Sequence, residues 1–278
     1  MSEAVTNRRL ARIVCAAMQK GGVGKTTSVI NLARAAMLRG LKVLVVDLDP
    51  QGNTTDALTV KELADTSVSV ADTILPDDPA PIRDVLVTTI WSGVDLAPVT
   101  SSDALTKAER LIQASDEGRE HRLSEALDPV RADYDLILID NAPALGLLVG
   151  NALAAANEVL VVMRAERWST QGLVRLRKTI RRAQRYSNPT LGWAGVLISK
   201  WRGTADERSK VDDIATHFPD AEVWASSTDT SRVIPEWVGI MEQINAGRGL
   251  DEAKDARLRV LGETYEWAVQ TIMNRSGV

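Results

Sequence analysis

The sequence predicts an α/β protein, with a mostly parallel twisted sheet and helices on both faces, in one domain spanning residues 1–278. Three observations lead there. Short β-branched apolar runs alternate with helical patterns along the chain, the order expected of parallel strands joined by helical crossovers. Several runs, Lys42–Leu48 (KVLVVDL) foremost, are apolar at consecutive rather than alternate positions, as in strands buried on both faces. No linker divides the chain, and its 45% hydrophobic and 25% charged residues are ordinary for a globular protein large enough to bury a full core.

Taken in order, Arg12–Met18 reads as a buried strand. Thr26–Arg39 reads as a helix, with Gly40 placed to cap its end. Lys42–Leu48 is the second strand, and Val94–Val99 a shorter one. Asp135–Asp140 (DLILID), Glu158–Met163 (EVLVVM) and Trp193–Ser199 (WAGVLIS) complete the strand set. Helical periodicity covers 101–114, 119–128, 146–156, 170–186, 205–216, 234–246 and 251–274. The stretch 60–90, with Pro76, Pro79 and Pro81, reads as surface loop.

Several function classes are excluded. The single cysteine, Cys15, allows neither an internal disulfide nor an all-cysteine metal site, and its apolar surroundings suggest a buried small hydrophobe. The basic N-terminal residues have no apolar core behind them, and no stretch approaches the ~20 apolar residues of a membrane span. A cytoplasmic location and no membrane partner are therefore expected. Net charge is −4, yet Arg167, Arg175, Arg177, Lys178, Arg181, Arg182 and Arg185 form a run without one acidic residue. Stepped at about 100° per residue, Leu173, Leu176, Ile180 and Ala183 share one arc of this helix and the cations from Arg175 onward the opposite one. A solvated face normally mixes both signs, so Arg175, Arg177, Lys178, Arg181, Arg182 and Arg185 are candidates for contact with nucleic-acid phosphates. Lys200, Arg202, Arg208, Lys210, Arg232 and Arg248 are further candidates.

The chemistry is written at residues 19–27, QKGGVGKTT, between a predicted strand and a predicted helix. That setting makes the segment a phosphate loop and the fold a P-loop NTPase. Gly21, Gly22 and Gly24, with Val23 between them, let the backbone approach phosphate oxygens, and N–H groups through Thr27 supply positive potential. Lys25 is placed to reach the β- and γ-phosphates of ATP, and Thr26 to put its hydroxyl on Mg²⁺. Asp47 and Asp49 end the second strand, and Asp140 ends DLILID, where a magnesium-binding aspartate stands in such sites.

Gln19 occupies a position where the general motif has glycine, and a second lysine, Lys20, precedes the paired glycines. In this the sequence resembles the deviant Walker group, the MinD/ParA ATPases. The resemblance implies a homodimer formed with ATP, in which Lys20 reaches the partner's phosphates as a catalytic cation supplied in trans. It implies that Val45–Asn53 (VVDLDPQGN) is the first switch, with Asp49 orienting the attacking water and Asp47 beside the metal. It implies that Asn141-Ala142-Pro143-Ala144-Leu145-Gly146 is the second switch, although Ala142 stands where the family usually has a first of two prolines.

Relatives that need paired cysteines are excluded by the lone Cys15. The C-terminus, YEWAVQTIMNRSGV, has little of the basic amphipathic character of a MinD-type membrane anchor. QKGGVGKTT, DLDPQGN and NAPALGLLVGNAL together look like the ParA-type DNA-partition ATPases. About ten residues precede the first strand, which resembles the short type without an N-terminal helix-turn-helix. The resemblance implies slow ATP hydrolysis, nonspecific DNA binding by the ATP dimer on the nucleoid, and stimulation by a ParB-type centromere-binding protein. The alternative is a MinD-like positioning ATPase acting on a membrane or protein scaffold.

Overall fold

The computed structural model describes residues 10–275 apart from 19, 62, 65–66, 116, 144–145 and 167–169, and not the side chains of 170–173. Gln19, Ala144, Leu145 and Arg167, singled out above, therefore lie outside the described residues, as does the side chain of Leu173.

The strands are β1 (Arg12–Ala17), β2 (Val43–Leu48), β3 (Val87–Thr88), β4 (Val94–Ala97), β5 (Leu136–Asn141), β6 (Glu158–Met163) and β7 (Gly192–Ile198). They form one sheet in the order β3-β4-β2-β5-β1-β6-β7, with only the short edge strand β3 antiparallel. The longer helices are α1 (Lys25–Leu38), α5 (Ser102–Ala114), α7 (Leu147–Ala155), α8 (Thr170–Tyr186), α9 (Ala205–His217), α10 (Val238–Asn245) and α11 (Ala256–Asn274). Shorter ones are α2 (Asn53–Leu58), α3 (Val70–Thr73), α4 (Ile82–Val85) and α6 (Arg122–Leu127).

Successive side chains of an extended strand leave on opposite faces, and the two halves of the core follow that rule. Ile13, Cys15 and Ala17 of β1, with Ile137 and Ile139 of β5, pack on α5, α7 and α8 through Leu105, Leu148 and Ile180. Val14 and Ala16, with Leu136 and Leu138, face the other way onto α1 and α11 through Leu32, Ala36, Leu261 and Tyr265. Every residue of β1, β2, β5 and β6 is buried, as their unbroken apolar runs require. Cys15 is one of them and has no solvent exposure.

Three expectations need correction. The stretch 60–90 carries α3, α4 and β3 rather than loop alone; Ser69 and Asp72 build a reciprocal cap that starts α3, a cue three residues long among turn formers. The strand at Val94 stops at Ala97, before Pro98. The helix expected over 234–246 begins only at Val238, because residues 234–236 are held extended: Ile234 N–H donates to Ile198 O and Glu236 N–H to Trp201 O. At Gly195 the register of β6 against β7 shifts, φ is +146°, and an added Cβ would lie 2.4 Å from the Trp224 indole nitrogen. Only glycine combines that backbone with that ring.

Candidate active site

β1, β2 and β5 are neighbours in the sheet, so the loops leaving their carboxyl ends meet in space. The loop after β1 is the phosphate loop. Gly22 (φ +70°) and Gly24 (φ +91°) take left-handed turns, and Gly24 caps α1. Both turns are cheap only for glycine, and they leave the backbone open to a ligand at the positive end of the helix. A cleft of about 920 Å³ opens over this loop, lined by Gly21 through Thr27, by Asp49 and Pro143, and across from them by Ile30, Met241 and Ile244.

Lys25 is only 6% exposed. Burial pushes its pKa down, and the nearby Asp140 and Asp49 carboxylates oppose that shift. Asp49 lines the cleft, and its Oδ1 accepts from Gln51 N–H at 3.0 Å. Asp140 is fully buried at the end of β5, and its Oδ2 accepts from Thr26 Oγ1 at 2.6 Å and from Thr54 Oγ1 at 2.7 Å. Its Oδ1 is buried without a hydrogen-bond partner among the described residues.

Asp47 lies beside Asp140 in strand register. Its oxygens are engaged within the protein: Oδ1 by Asp49 N–H at 3.1 Å, Oδ2 by Thr55 N–H at 2.9 Å and Thr55 Oγ1 at 2.8 Å. Neither Asp47 nor Asp140 is itself exposed in the cleft; both lie buried beneath it. Beside Asp140, Asp47 also ties the turn carrying Asp49 to the first turn of α2. Burial raises the pKa of Asp47, and the Asp140 carboxylate adds to the rise. Burial raises that of Asp140 too, against the hydroxyl donors and the Lys25 charge. Two neighbouring buried carboxylates, an orphaned oxygen and a threonine hydroxyl are hard oxygen donors in need of a cation, which fits magnesium.

Lys20 sits apart from this centre. Its Nζ donates to Glu166 Oε2 at 2.6 Å, while Arg164 Nε holds Glu166 Oε1 at 2.8 Å. The hydrogen bond from Lys20 leads the effects that hold the Glu166 carboxyl below its ordinary range.

Along α8, Leu176, Ile180 and Ala183 are buried, and Arg175, Lys178, Arg181, Arg182 and Arg185 are exposed, with Arg177 between. For the described side chains from Val174 onward the two arcs read from the sequence are both present, with Leu173 outside that description. Arg181 lies 3.7 Å from Asp220 and Arg182 3.8 Å from Glu120, loose surface pairs of little energetic weight. Three of the further candidate cations have identified neighbours. Lys200 (φ +53°) lines the nucleotide cleft. Arg208 and Arg232 lie over the rings of Trp201 and Trp267.

Thr54, Thr55, Met241 and Glu166 escaped sequence reading. The two threonines directly follow the Asp47–Asn53 motif, and their place at the start of a helix was the available signal. Met241 and Glu166 belong to no motif; only folding brings Met241 to the cleft and Glu166 to Lys20.

Comparison with known proteins agrees with this geometry. A family model described as an AAA domain matches residues 11–193. The chromosome-partitioning ATPase Soj of Treponema pallidum is 38% identical over 266 residues, covering 93% of this chain and 96% of that one. The chromosome partitioning protein ParA of Myxococcus xanthus is 38% identical over 210 residues, 75% of this chain and 72% of that one. Among solved structures, cobyrinic acid a,c-diamide synthase from Mycobacterium smegmatis, with bound ATP analog and magnesium, matches at TM-score 0.72 and 33% identity. That match covers 85% of this chain and 94% of the other.

Proposed function

We propose, from the premise that this chain belongs to the ParA/Soj family of partition ATPases, that it is an ATP-driven switch for DNA segregation. Its ATP-bound homodimer binds DNA nonspecifically and lets go after hydrolysis stimulated by a ParB-type partner. The observation that carries the catalytic half is the convergence of Lys25, Thr26 and Asp49 on one cleft over the phosphate loop, with Asp140 buried directly behind Thr26, 2.6 Å from its hydroxyl. The ATP analog and magnesium bound by the Mycobacterium smegmatis protein support the same pair of ligands here.

In this reading the backbone N–H groups of Gly21–Thr27 cradle the phosphates, and Lys25 pairs with the β- and γ-phosphate oxygens. Thr26 and Asp140 would hold the magnesium ion, which when bound neutralises charge developing on the phosphates. Asp49 holds the attacking water in line with the γ-phosphorus; the bond to the bridging oxygen breaks, and ADP and phosphate leave. Asp47 acts through Thr55 to hold that turn in place. Lys20, supplied by the partner protomer, stabilises the transferring phosphoryl group.

The DNA-binding half rests on α8, whose exposed arc gathers Arg175, Lys178, Arg181, Arg182 and Arg185. No helix among the described residues is long and apolar enough to cross a membrane. Co-sedimentation with DNA and, separately, with anionic liposomes, each with and without ATP, tests the reading. ATP-dependent DNA capture is expected. Capture by liposomes alone would replace it with a membrane-positioning ATPase.

A further inference from the structure

In the sheet order, β1 with its phosphate loop stands between two groups of strands. β5 and β2 lie on one side, with Asp140 at the end of one and Asp49 just past the other; β6 and β7 lie on the opposite side. A triphosphate whose γ end meets Asp49 and the Thr26–Asp140 pair therefore sends its nucleoside end toward β7. The first residues beyond β7 are Ser199 and Lys200.

This corner is fastened to the phosphate loop. Ser199 Oγ donates to Val23 O, and a Cβ added at Gly24 would lie 3.7 Å from that hydroxyl oxygen. Ser199 N–H donates to Met163 O at 2.7 Å and Trp201 N–H to Ile234 O at 2.9 Å, so the backbone is pinned on both sides of Lys200. Between those anchors Lys200 takes a left-handed turn, φ +53°. Asp78 is the other non-glycine residue with positive φ among the described residues; it is exposed, and its short polar side chain suits that conformation. Lysine has no such local compensation. Strain of this kind persists where the surroundings impose it, and it clusters at ligand sites. Its result here is positional. Successive residues of an extended chain face opposite ways, whereas Ser199 and Lys200 border the same pocket, beside Gly24 and Thr27. Lys200 lines the nucleotide cleft as well.

The lysine arrives there without an acidic partner. Glu236 is the carboxylate that borders this pocket, and it pairs with Arg164 and Arg202. Lys200 makes no ion pair among the described residues. A half-buried ammonium set beside a phosphate loop, with no carboxylate to answer it, has a phosphate oxygen as its natural complement. Lys25 serves the β- and γ-phosphates, and the direction toward β7 leaves the α-phosphate for Lys200.

We propose that Lys200 is a second nucleotide-binding cation, which pairs with the α-phosphate common to ATP and ADP. The inference rests on the ATPase reading above and extends it: Lys200 strengthens the binding of product as much as that of substrate, and so sets how long ADP stays after hydrolysis.

Affinities for ATP and ADP and the rate of ADP dissociation are measured for wild type, Lys25→Ala, Lys200→Ala, Lys200→Gln, Lys200→Arg and Lys200→Gly. Lys200→Ala is expected to weaken ATP and ADP binding by about tenfold each, equivalent to about 1.4 kcal/mol. ADP should leave about tenfold faster, since such losses fall mainly on dissociation. Lys200→Gln keeps a neutral donor that could still meet a base or a ribose, and it should bind as weakly as alanine. Lys200→Arg keeps the charge and should recover most of the affinity. Lys200→Gly takes the left-handed turn without strain, so it decides the matter if the alanine variant does not fold, and it should bind as weakly. A loss confined to ATP, a glutamine variant that binds like wild type, or an arginine variant no better than alanine would each overturn the proposal. Wild-type ADP affinity in Lys200→Ala would do the same, and would leave Lys200 a candidate for the nucleic-acid surface. Absent ATP binding by wild type, or wild-type affinity in Lys25→Ala, would instead refute the ATPase reading itself.

Discussion

Lys20 and Lys25 stand on the same loop in opposite environments: Lys25 is buried against Asp140 and Asp49, whereas the Lys20 side chain is 54% exposed and paired with Glu166. Their alanine variants should differ accordingly. Lys25→Ala should weaken ATP binding by about 100-fold or more, since each hydrogen bond to a charged group contributes about 1.5–3 kcal/mol and this cation makes several. Equilibrium titration with ATP checks it, and unchanged affinity would remove Lys25 from the site. Lys20→Ala should keep monomer binding of ATP and lose stimulated hydrolysis, a contrast that one binding curve and one stimulated rate resolve. Asp49→Ala removes a group that acts on the attacking water. It should leave ATP bound and the dimer accumulating while turnover falls by about 100-fold, within the range for loss of a catalytic base. Light scattering and phosphate release, read together, would reject that role if the protein stayed monomeric with full turnover.

Helix α8 is the element whose two faces have separate jobs. Leu176 and Ile180 anchor it to the sheet, so Arg177→Ala, Arg181→Ala and Arg182→Ala in combination should leave the fold intact; alanine suits a helix interior, and the ion pairs to Asp220 and Glu120 that disappear are loose surface ones. ATP affinity should not change. DNA affinity of the ATP dimer should fall similarly for all sequences, because interactions with phosphate carry no base information. The slope of log affinity against log salt should shrink by about 0.9 for each phosphate that is no longer neutralised. Filter binding across a salt series measures both quantities. If neither moves, this face meets solvent or a protein, and the DNA surface lies elsewhere.

At the scale of the molecule, one sheet separates two core layers, and the nucleotide cleft sits where β1, β2 and β5 deliver their loops. Neither layer is closed without the sheet, so the chain should unfold as one cooperative unit, with calorimetric and van't Hoff enthalpies equal. Mg–ATP at 100 times its Kd should add about 2.7 kcal/mol and raise Tm by roughly 5 °C for a chain of this size. A scan of Lys25→Ala under the same conditions should show almost no rise. Two resolved transitions in the nucleotide-free protein would divide the single domain.

What the sequence determined by itself is the part of the protein whose physics is local. Consecutive apolar runs meant strands buried on both faces, and the single, mostly parallel sheet of the structure confirms the α/β class. The glycines and Lys25-Thr26 marked the phosphate loop, because a turn that binds phosphate must be written in contiguous residues. The arcs of α8 could be read from periodicity alone. The tertiary structure decided everything that joins residues far apart in the chain. It set Thr26, Thr54 and Asp140 on one oxygen, turned Asp47 to Thr55, brought Glu109 to the start of α7 and paired Lys20 with Glu166. It also placed tryptophans in pairs that join distant segments: Trp224 lies over Gly195 and edge-on to Trp267, and Trp91 lies beneath Arg34. Such arrangements depend on strand order and on where each helix lands on the sheet, and no periodicity or spacing within one segment carries that information.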